Sequence, residues 1–228
     1  MPADLTTCSA VIVAHDVNLS IFKPAWLGRQ GILLDEELAG QVVITPALVR
    51  VPTDRFELLV LPDRIQLRPA KESDRCQPDL VRILGGIVSK LPHTPFTAIG
   101  LNFDFLLRPA EDRQFAAWNA QQFAAPIALS IIGGEVDSAS YGAFFTFAVL
   151  GMKLHADFRP VPMGRREVQD ALAAAPDANV MQAKFNFHRD LATPASVAVI
   201  FEVLASWNAA SSVASRLAAE ALGQHHEG

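Results

Sequence analysis

Three segments of the chain alternate strictly between apolar and polar residues, the pattern of a half-buried β-strand. In the longest, 152–159, the apolar positions are Met152, Leu154, Ala156 and Phe158. The polar positions between them are Lys153, His155, Asp157 and Arg159. The other two segments place Asn102 and Asp104 between Leu101, Phe103 and Phe105, and Lys184, Asn186 and His188 around Phe185 and Phe187. If these strands share a sheet, one face is core and the other is a polar field.

The rest of the chain predicts further strands and several helices. Short apolar runs and alternation predict strands over 8–17, 41–51, 56–61, 64–68, 97–107, 127–132, 144–150 and 179–188. Pro46 inside the second of these marks it as an edge or bulged strand. Apolar stripes at spacings of three and four predict helices over 79–91, 110–124, 165–175 and from Thr193-Pro194 to about Leu222.

These elements predict an α+β protein built on an antiparallel sheet with its helices on one face, because hairpins outnumber parallel crossovers. We divide it into a first half at 1–94, a second half at 95–222 that ends in a long C-terminal helix, and a disordered tail at 223–228. Segment 10–16 resembles segment 98–104 at an offset of 88 residues, and the helices at 79–91 and 165–175 lie at nearly the same offset.

The offset suggests an internal duplication. Each half then has the ferredoxin-like order β-α-β-β-α-β, with the strand at 97–107 closing one unit and opening the next. The alternative is that strands with similar alternation match by chance. The sequence leaves both explanations open.

The amino-acid composition of the chain indicates which kinds of binding partner are expected. Half of the residues are apolar and 19% are charged, below the roughly 25% typical of soluble domains. Such a chain either fills a large core or leaves apolar surface for an oligomer or a protein partner. The net charge of −5, with basic residues interleaved among acidic ones, argues against nucleic-acid binding.

The two cysteines, Cys8 and Cys76, are far apart and form no CxxC pair, so neither a disulfide framework nor a zinc site is expected. The N-terminus lacks the basic and apolar regions of a signal peptide, and the apolar run 197–207 is too short to span a bilayer. We expect a cytoplasmic protein that does not bind a membrane.

Familiar catalytic motifs are missing. The chain has no GxSxG, Walker A, GxGxxG, HExxH or EF-hand pattern. His188-Arg-Asp190-Leu resembles a kinase catalytic loop, but Ala195 stands where the asparagine belongs and no glycine-rich phosphate loop exists. No cofactor and no metal is predicted, and the chain leans away from being an enzyme.

The polar side of the three alternating strands is the one place where several side chains able to bind a ligand or transfer a proton come together. His155 and Asp157 lie on one side of a strand, about 7 Å apart, and with a neighbouring strand they suit acid–base work. The alternative is a solvated face whose opposite charges pair across strands. The lysines and arginine favour a small anion over a cation. The candidate ligand-binding residues are Lys153, His155, Asp157, Arg159, Lys184, His188, Asn102 and Asp104.

Three functions follow from these observations. The first is a non-catalytic interaction or assembly subunit that homodimerises or docks on a protein partner through its sheet or its last helix. The second is a protein that binds a small anionic ligand on the polar face. The third is an enzyme that uses His155, Asp157 and His188.

Overall fold

The computed structural model describes residues 3–38, 40–109, 114–124, 140–161, 180–192 and 195–223. Nine strands within these ranges form a single sheet. They are β1 (Asp4–Ala14), β2 (Val43–Ile44), β3 (Val49–Pro52), β4 (Phe56–Leu61), β5 (Arg64–Pro69), β6 (Phe96–Leu107), β7 (Ala143–Val149), β8 (Met152–Val161) and β9 (Val180–Asp190).

The strands lie in the order β2-β3-β4-β5-β1-β6-β9-β8-β7, and every neighbouring pair is antiparallel. Strands β1 and β6, of 11 and 12 residues, pair along almost their full length at the centre. The predicted α+β class and antiparallel sheet are therefore confirmed.

Five α-helices fall within the described ranges: α1 (Pro24–Arg29), α2 (Cys76–Lys90), α3 (Phe115–Phe123), α4 (Val197–Ala205) and α5 (Trp207–Ala221). Ring contacts join helices to the sheet: Trp207 lies 4.7 Å from Phe103 on β6, and Phe123 of α3 lies 5.4 Å from Phe158 on β8. The apolar positions of the three alternating strands are buried in the same core. Strict alternation therefore identified the core face of these strands correctly.

Strand direction alternates across the whole sheet, but the order of the strands relative to their connections differs between the two halves. In the first half, β5 lies between β1 and β4, which run parallel to each other, and β1 lies between β5 and β6, which are also parallel. In the second half, β9 lies directly against β8, and β6 and β7 are antiparallel.

The single strand predicted over 41–51 is wrong. The chain forms a hairpin of β2 and β3 instead, and Pro46 lies in the turn between them. Thr45 stabilises this turn, because its amide donates to the carbonyl of Leu48 at 2.8 Å and its hydroxyl oxygen accepts from the Leu48 amide at 3.0 Å. The local hydrogen bonds of threonine outweigh the β-propensity of the flanking valines.

The predicted C-terminal helix is present as two helices, with a bend of 48° at Ser206. The Ser206 hydroxyl donates to the Val203 carbonyl at 2.8 Å and competes with the helical backbone bonds. The bend lets both Leu204 and Trp207 reach the core. No single described helix is long and apolar enough to cross a membrane, although α4 and α5 taken together pass that test by length and composition.

Residues 144–159 form two strands with a tight turn between them, and not one long strand bent at Gly151. Leu150 and Gly151 make the turn with φ of 52° and 69°. Positive φ at both central residues is the mark of a type I′ hairpin turn, which matches the twist of the strands. This turn sets the register of β7 on β8, from Ala143 opposite Phe158 to Val149 opposite Met152.

Gly85 in the middle of α2 allows close helix packing. A Cβ atom at this position would lie 2.5 Å from the ring of Phe201 on α4. Glycine costs helix stability of about 1 kcal/mol relative to alanine, and the close approach of α4 is the reason it is needed here.

Several predicted elements lie outside the described residues: the strand at 127–132, the helix at 165–175, the Thr193-Pro194 helix start and the tail from 224. The first part of the helix predicted over 110–124 does too, and the described part, Phe115–Phe123, is helical.

Candidate functional site

The sheet brings the eight predicted site residues onto one surface, which we call the polar face. The strands that carry them, β6, β9 and β8, are direct neighbours. Their registers form three cross-strand rows: Asn102–Asn186–His155, Asp104–Lys184–Asp157, and His188 opposite Lys153 beside Gly100. Arg159 lies one row further, opposite Gln182.

Most charges on this face already have partners. The Lys184 ammonium lies 3.8 Å from the Asp104 carboxylate, and Arg159 approaches Asp157 at 2.6 Å. His188 Nε2 lies 2.9 Å from Oδ1 of Asp190 at the end of its own strand. Opposite charges therefore pair across and along the strands, as expected for a structural sheet face.

Amides and a hydroxyl occupy the middle row. Asn186 Nδ2 donates to Asn102 Oδ1 at 2.5 Å, and Asn102 Nδ2 donates to Ser9 Oγ at 3.4 Å. At the other end of this row, Thr146 Oγ1 and His155 Nδ1 form a hydrogen bond at 3.1 Å. These contacts occupy polar atoms that a bound ligand would otherwise use.

Burial raises the pKa of the Asp104 carboxyl above its ordinary value. The charge of Lys184 and a hydrogen bond from the Thr7 side chain act in the opposite direction and are smaller. Since desolvation penalises the ionised form, the contact with Lys184 chiefly offsets the cost of a charge in the sheet. Asp104 therefore has a structural role that its position explains.

One corner of the polar face keeps a positive charge without a counter-ion. Lys153 is exposed and has no ion-pair partner within the part of the chain that the structure describes. It lies opposite His188, whose ring centroid is 6.5 Å from that of His155. Phe144 stacks on His155 at 5.9 Å. An anion is the ligand that this corner suits.

The described residues contain no group of three or more His, Cys, Asp or Glu side chains that could hold a metal ion. Cys8 is buried, and burial raises the pKa of its thiol to about 12, so it is protonated at neutral pH and a poor nucleophile. Cys76 is also buried, and its thiol donates to the Lys71 carbonyl at 3.3 Å.

A cavity of about 330 Å³ lies beside Cys76 at the start of α2, away from the polar face. Arg55, Lys71 and Arg75 line it together with Asp54 and Asp79. Arg55 forms an ion pair with Asp79, so the charges of this cavity are partly balanced from within the chain.

The outer edge of β7 is the second candidate surface, and the sequence analysis did not single it out. Phe144, Phe145 and Phe147 are 63%, 52% and 42% exposed. None of the described strands pairs with this edge. Asn119 of α3 holds the chain just before β7, because its side chain bonds the backbone of Tyr141 at 2.7 and 2.9 Å. We call Ala143–Val149 the β7 edge.

A signal for this edge does exist in the sequence. Its residues are Ala, Phe, Phe, Thr, Phe, Ala and Val, with large apolar side chains on both alternating positions and no charge. A strand that shows one face to solvent would carry polar residues at every second position. The missing alternation therefore indicates a strand with apolar side chains on both faces of the sheet, and the absence of charge leaves its outer edge without the charged residues that protect many edge strands.

No protein-family model matches the chain, and a search of curated proteins finds no significant match.

Proposed function

We propose that this protein is a non-catalytic assembly subunit that acts by homodimerisation or by binding a protein partner. The exposed phenylalanines of the β7 edge carry the proposal. Large apolar side chains exposed close together on one strand are typical of interaction sites, and Phe is among the residues enriched at the centres of protein interfaces.

The two ends of the sheet support this choice. Soluble proteins protect edge strands by keeping them short or by placing charges on them. The other edge strand, β2, has only two residues, whereas the β7 edge has seven and no charge. The β7 edge therefore lacks the protection that a solvent-facing edge needs.

The last helices support a sheet-edge interface over a helical one. The sequence offers the apolar stripe of the last helix as a second docking surface. Its members Ile200, Leu204 and Trp207 are buried in the core, and Val197 and Phe201 are partly buried and pack against it. We further propose that the protein is cytoplasmic and works without a cofactor.

We also infer that the first half has the ferredoxin-like arrangement with its helices on one face. Two parallel strand pairs, β1 with β4 and β5 with β6, each have a strand between them, which is the split β-α-β pattern. The buried side chains of α2, among them Leu80, Ile83 and Leu84, lie in the same core as the buried side chains of these strands, which supports helices on the core face. In the second half, β6 is parallel to β8 and β9 is parallel to β7, but the strands that α3 joins, β6 and β7, are antiparallel. The described strands of this half therefore do not repeat the arrangement of the first half, and the duplication gains no support from them.

Introducing negative charge at the β7 edge tests the assembly proposal. We expect Phe145→Asp with Phe147→Asp to weaken self-association or partner binding by at least about 100-fold, because two apolar contacts are lost and carboxylates enter the interface. Light scattering coupled to size exclusion measures the assembled mass of wild type and variant.

Ile44→Asp is the matched control, because Ile44 is also an exposed apolar residue on an edge strand, at the opposite end of the sheet. It should leave the assembled mass unchanged, and circular dichroism should show both variants folded. A folded Phe145/Phe147 double variant that assembles as well as wild type would contradict the proposal.

A second candidate function is the binding of a small anion at the corner formed by Lys153, His155 and His188. The exposed lysine without a counter-ion beside two imidazoles supports it. In that case inorganic phosphate should raise the melting temperature, and replacement of His155 and His188 by Ala should abolish the rise.

Assembly through the β7 edge, in contrast, should survive both histidine substitutions. A phosphate effect that persists in the double variant, or no effect in wild type, would exclude this corner as the anion site. An enzyme that uses these histidines together with Asp157 is the third alternative. The ion pair between Asp157 and Arg159 disfavours it, because that carboxylate is already engaged.

A further inference from the structure

The geometry points to a second copy of this chain as the partner of the β7 edge. We propose that two β7 strands pair antiparallel around a two-fold axis at Thr146, so that two nine-stranded sheets become one continuous sheet. This inference rests on the proposed assembly function and names its partner and register. Three features of Ala143–Val149 carry it: its free backbone groups, its side-chain pattern and its lack of charge.

The hairpin turn determines which backbone groups face outward. Residues next to a two-residue type I′ turn form a hydrogen-bonded pair, so Val149 and Met152 bond each other. Hydrogen-bonded and non-bonded pairs then alternate along the ladder. The amides and carbonyls of Phe144, Thr146 and Ala148 therefore point away from β8, on the side where β7 pairs with none of the described strands.

A two-fold axis at Thr146 uses all of these groups. Thr146 then lies opposite Thr146 of the second copy, and Phe144 lies opposite Ala148 of the second copy. Each of these pairs is of the hydrogen-bonded kind, since both members direct their backbone groups outward. This register also pairs all seven residues of the strand, whereas an axis at Phe145 or Phe147 leaves residues at the end of each strand unpaired.

The side chains complement each other in this register. Phe145 lies opposite Phe147 of the second copy, so four phenylalanine rings meet on the core face, where Phe145 already contacts Phe158 at 6.2 Å. On the polar face, the bulky Phe144 lies opposite the small Ala148. Aromatic pairs across neighbouring strands stabilise a sheet.

The absence of charged residues on β7 makes a second copy of the same strand a suitable partner. A two-fold axis places each residue near its own equivalent, so a charged edge would bring like charges together. Ala143–Val149 carries no charge, and no such repulsion arises. The surface is thus self-complementary, as an isologous dimer interface requires.

Cysteine cross-linking tests the register. In Thr146→Cys, the two cysteines should lie about 5.5 Å apart at Cα, within the range of a disulfide. Air or oxidised glutathione, as the two-electron acceptor, should convert most of the dimer to a covalent one on a non-reducing gel. Native Cys8 and Cys76 are buried, so wild type should give no such band.

Ala148→Cys is the matched control on the same strand and the same face. Its two copies would lie four residues apart along the strand, about 14 Å, beyond the reach of a disulfide. It should cross-link at least ten times less than Thr146→Cys. A mixture of Phe144→Cys and Ala148→Cys chains tests the same register without removing the Thr146 contact to His155, and it should cross-link between the two kinds of chain.

The outcomes separate this inference from the proposed function. Cross-linking of Thr146→Cys and of the mixture, but not of Ala148→Cys alone, supports the two-fold axis at Thr146. A wild-type dimer that Phe145→Asp with Phe147→Asp disrupts, without cross-linking at Thr146 or in the mixture, keeps the assembly function and overturns the register. A wild-type monomer whose β7 edge instead binds a different protein keeps the assembly function and overturns the second copy as partner. A monomer without any partner overturns both.

Discussion

Leu204→Asp is expected to unfold the protein. Leu204 on α4 is fully buried, and it lies in the main hydrophobic core with Ile200, Val203 and Trp207. The substitution removes an apolar side chain and places a carboxylate inside the hydrophobic core, which costs more than about 4 kcal/mol. This is comparable with the stability of a typical domain, about 5–15 kcal/mol. Circular dichroism with urea titration measures the loss.

The control for Leu204→Asp introduces the same charge at an exposed site on the neighbouring helix. Ala209 lies in the first turn of α5 and is exposed. A carboxylate at this position interacts favourably with the helix dipole, so Ala209→Asp should leave the unfolding midpoint nearly unchanged. If Leu204→Asp stays folded and only releases a bound protein, the stripe on α4 is an interface and the core assignment is wrong.

Arg82→Ala should produce the second-largest loss of stability. Arg82 on α2 bonds both carboxylate oxygens of Glu37, at 2.6 and 3.1 Å, and donates to the carbonyl of Ile32 at 2.7 Å. Glu37 is only 5% exposed and also accepts from the amide of Leu34 at 2.9 Å. The pair therefore fastens the loop after α1 to the middle of α2.

Loss of Arg82 leaves Glu37 buried with only the more distant Arg55, 3.8 Å away, as a cation. Breaking a buried pair typically costs about 3–5 kcal/mol. Because Arg55 still interacts with Glu37, we expect a loss at the lower end of this range, about 3 kcal/mol. Guanidinium unfolding of Arg82→Ala measures it. Replacing Glu37 by Gln in the same chain should recover part of the loss, because glutamine keeps the acceptor for Leu34 and removes the unpaired charge.

Arg50→Ala is the matched control for this prediction. Arg50 pairs with Glu57 on the neighbouring strand, and its side chain is 52% exposed. Exposed pairs contribute at most about 1 kcal/mol. If Arg82→Ala costs no more than Arg50→Ala, the contact between Arg82 and Glu37 does not hold the loop in place.

Local patterns in the sequence predict much of this fold. Strict alternation along 152–159 identifies the buried positions of β8, because one face of the strand packs on the core. The spacing of Leu80, Ile83, Leu84 and Ile87 likewise identifies the buried side of α2. These features depend on residues close together in the chain, which is why a single sequence shows them.

Features that depend on local hydrogen bonds of small polar residues are harder to predict. Thr45 splits one apparent strand into two, and Ser206 bends one apparent helix. In both cases a hydroxyl bonds a nearby backbone group in competition with the regular pattern. The apolar residues on either side continue the periodicity, so hydrophobicity alone gives no sign of the break.

The order of the strands, which decides which side chains of the candidate site become neighbours, cannot be predicted from this single sequence. The charges of β6, β9 and β8 were expected to share a face, but Lys184 reaches Asp104 only because β9 enters the sheet beside β6. The same order leaves β7 at the edge. The exposure of Phe144, Phe145 and Phe147 follows from that long-range arrangement, so hydrophobicity along the chain predicts the strand but not its place at the edge.

The mass of the native protein in solution is the most direct test of the central claim, that the chain assembles through its β7 edge. Native mass spectrometry on the gently purified wild type should give a dimer, twice the 24.7 kDa of one chain. The Phe145→Asp, Phe147→Asp variant should give a folded single chain under the same conditions. A wild type that stays a single chain at every accessible concentration, with no protein partner retained, would contradict the account.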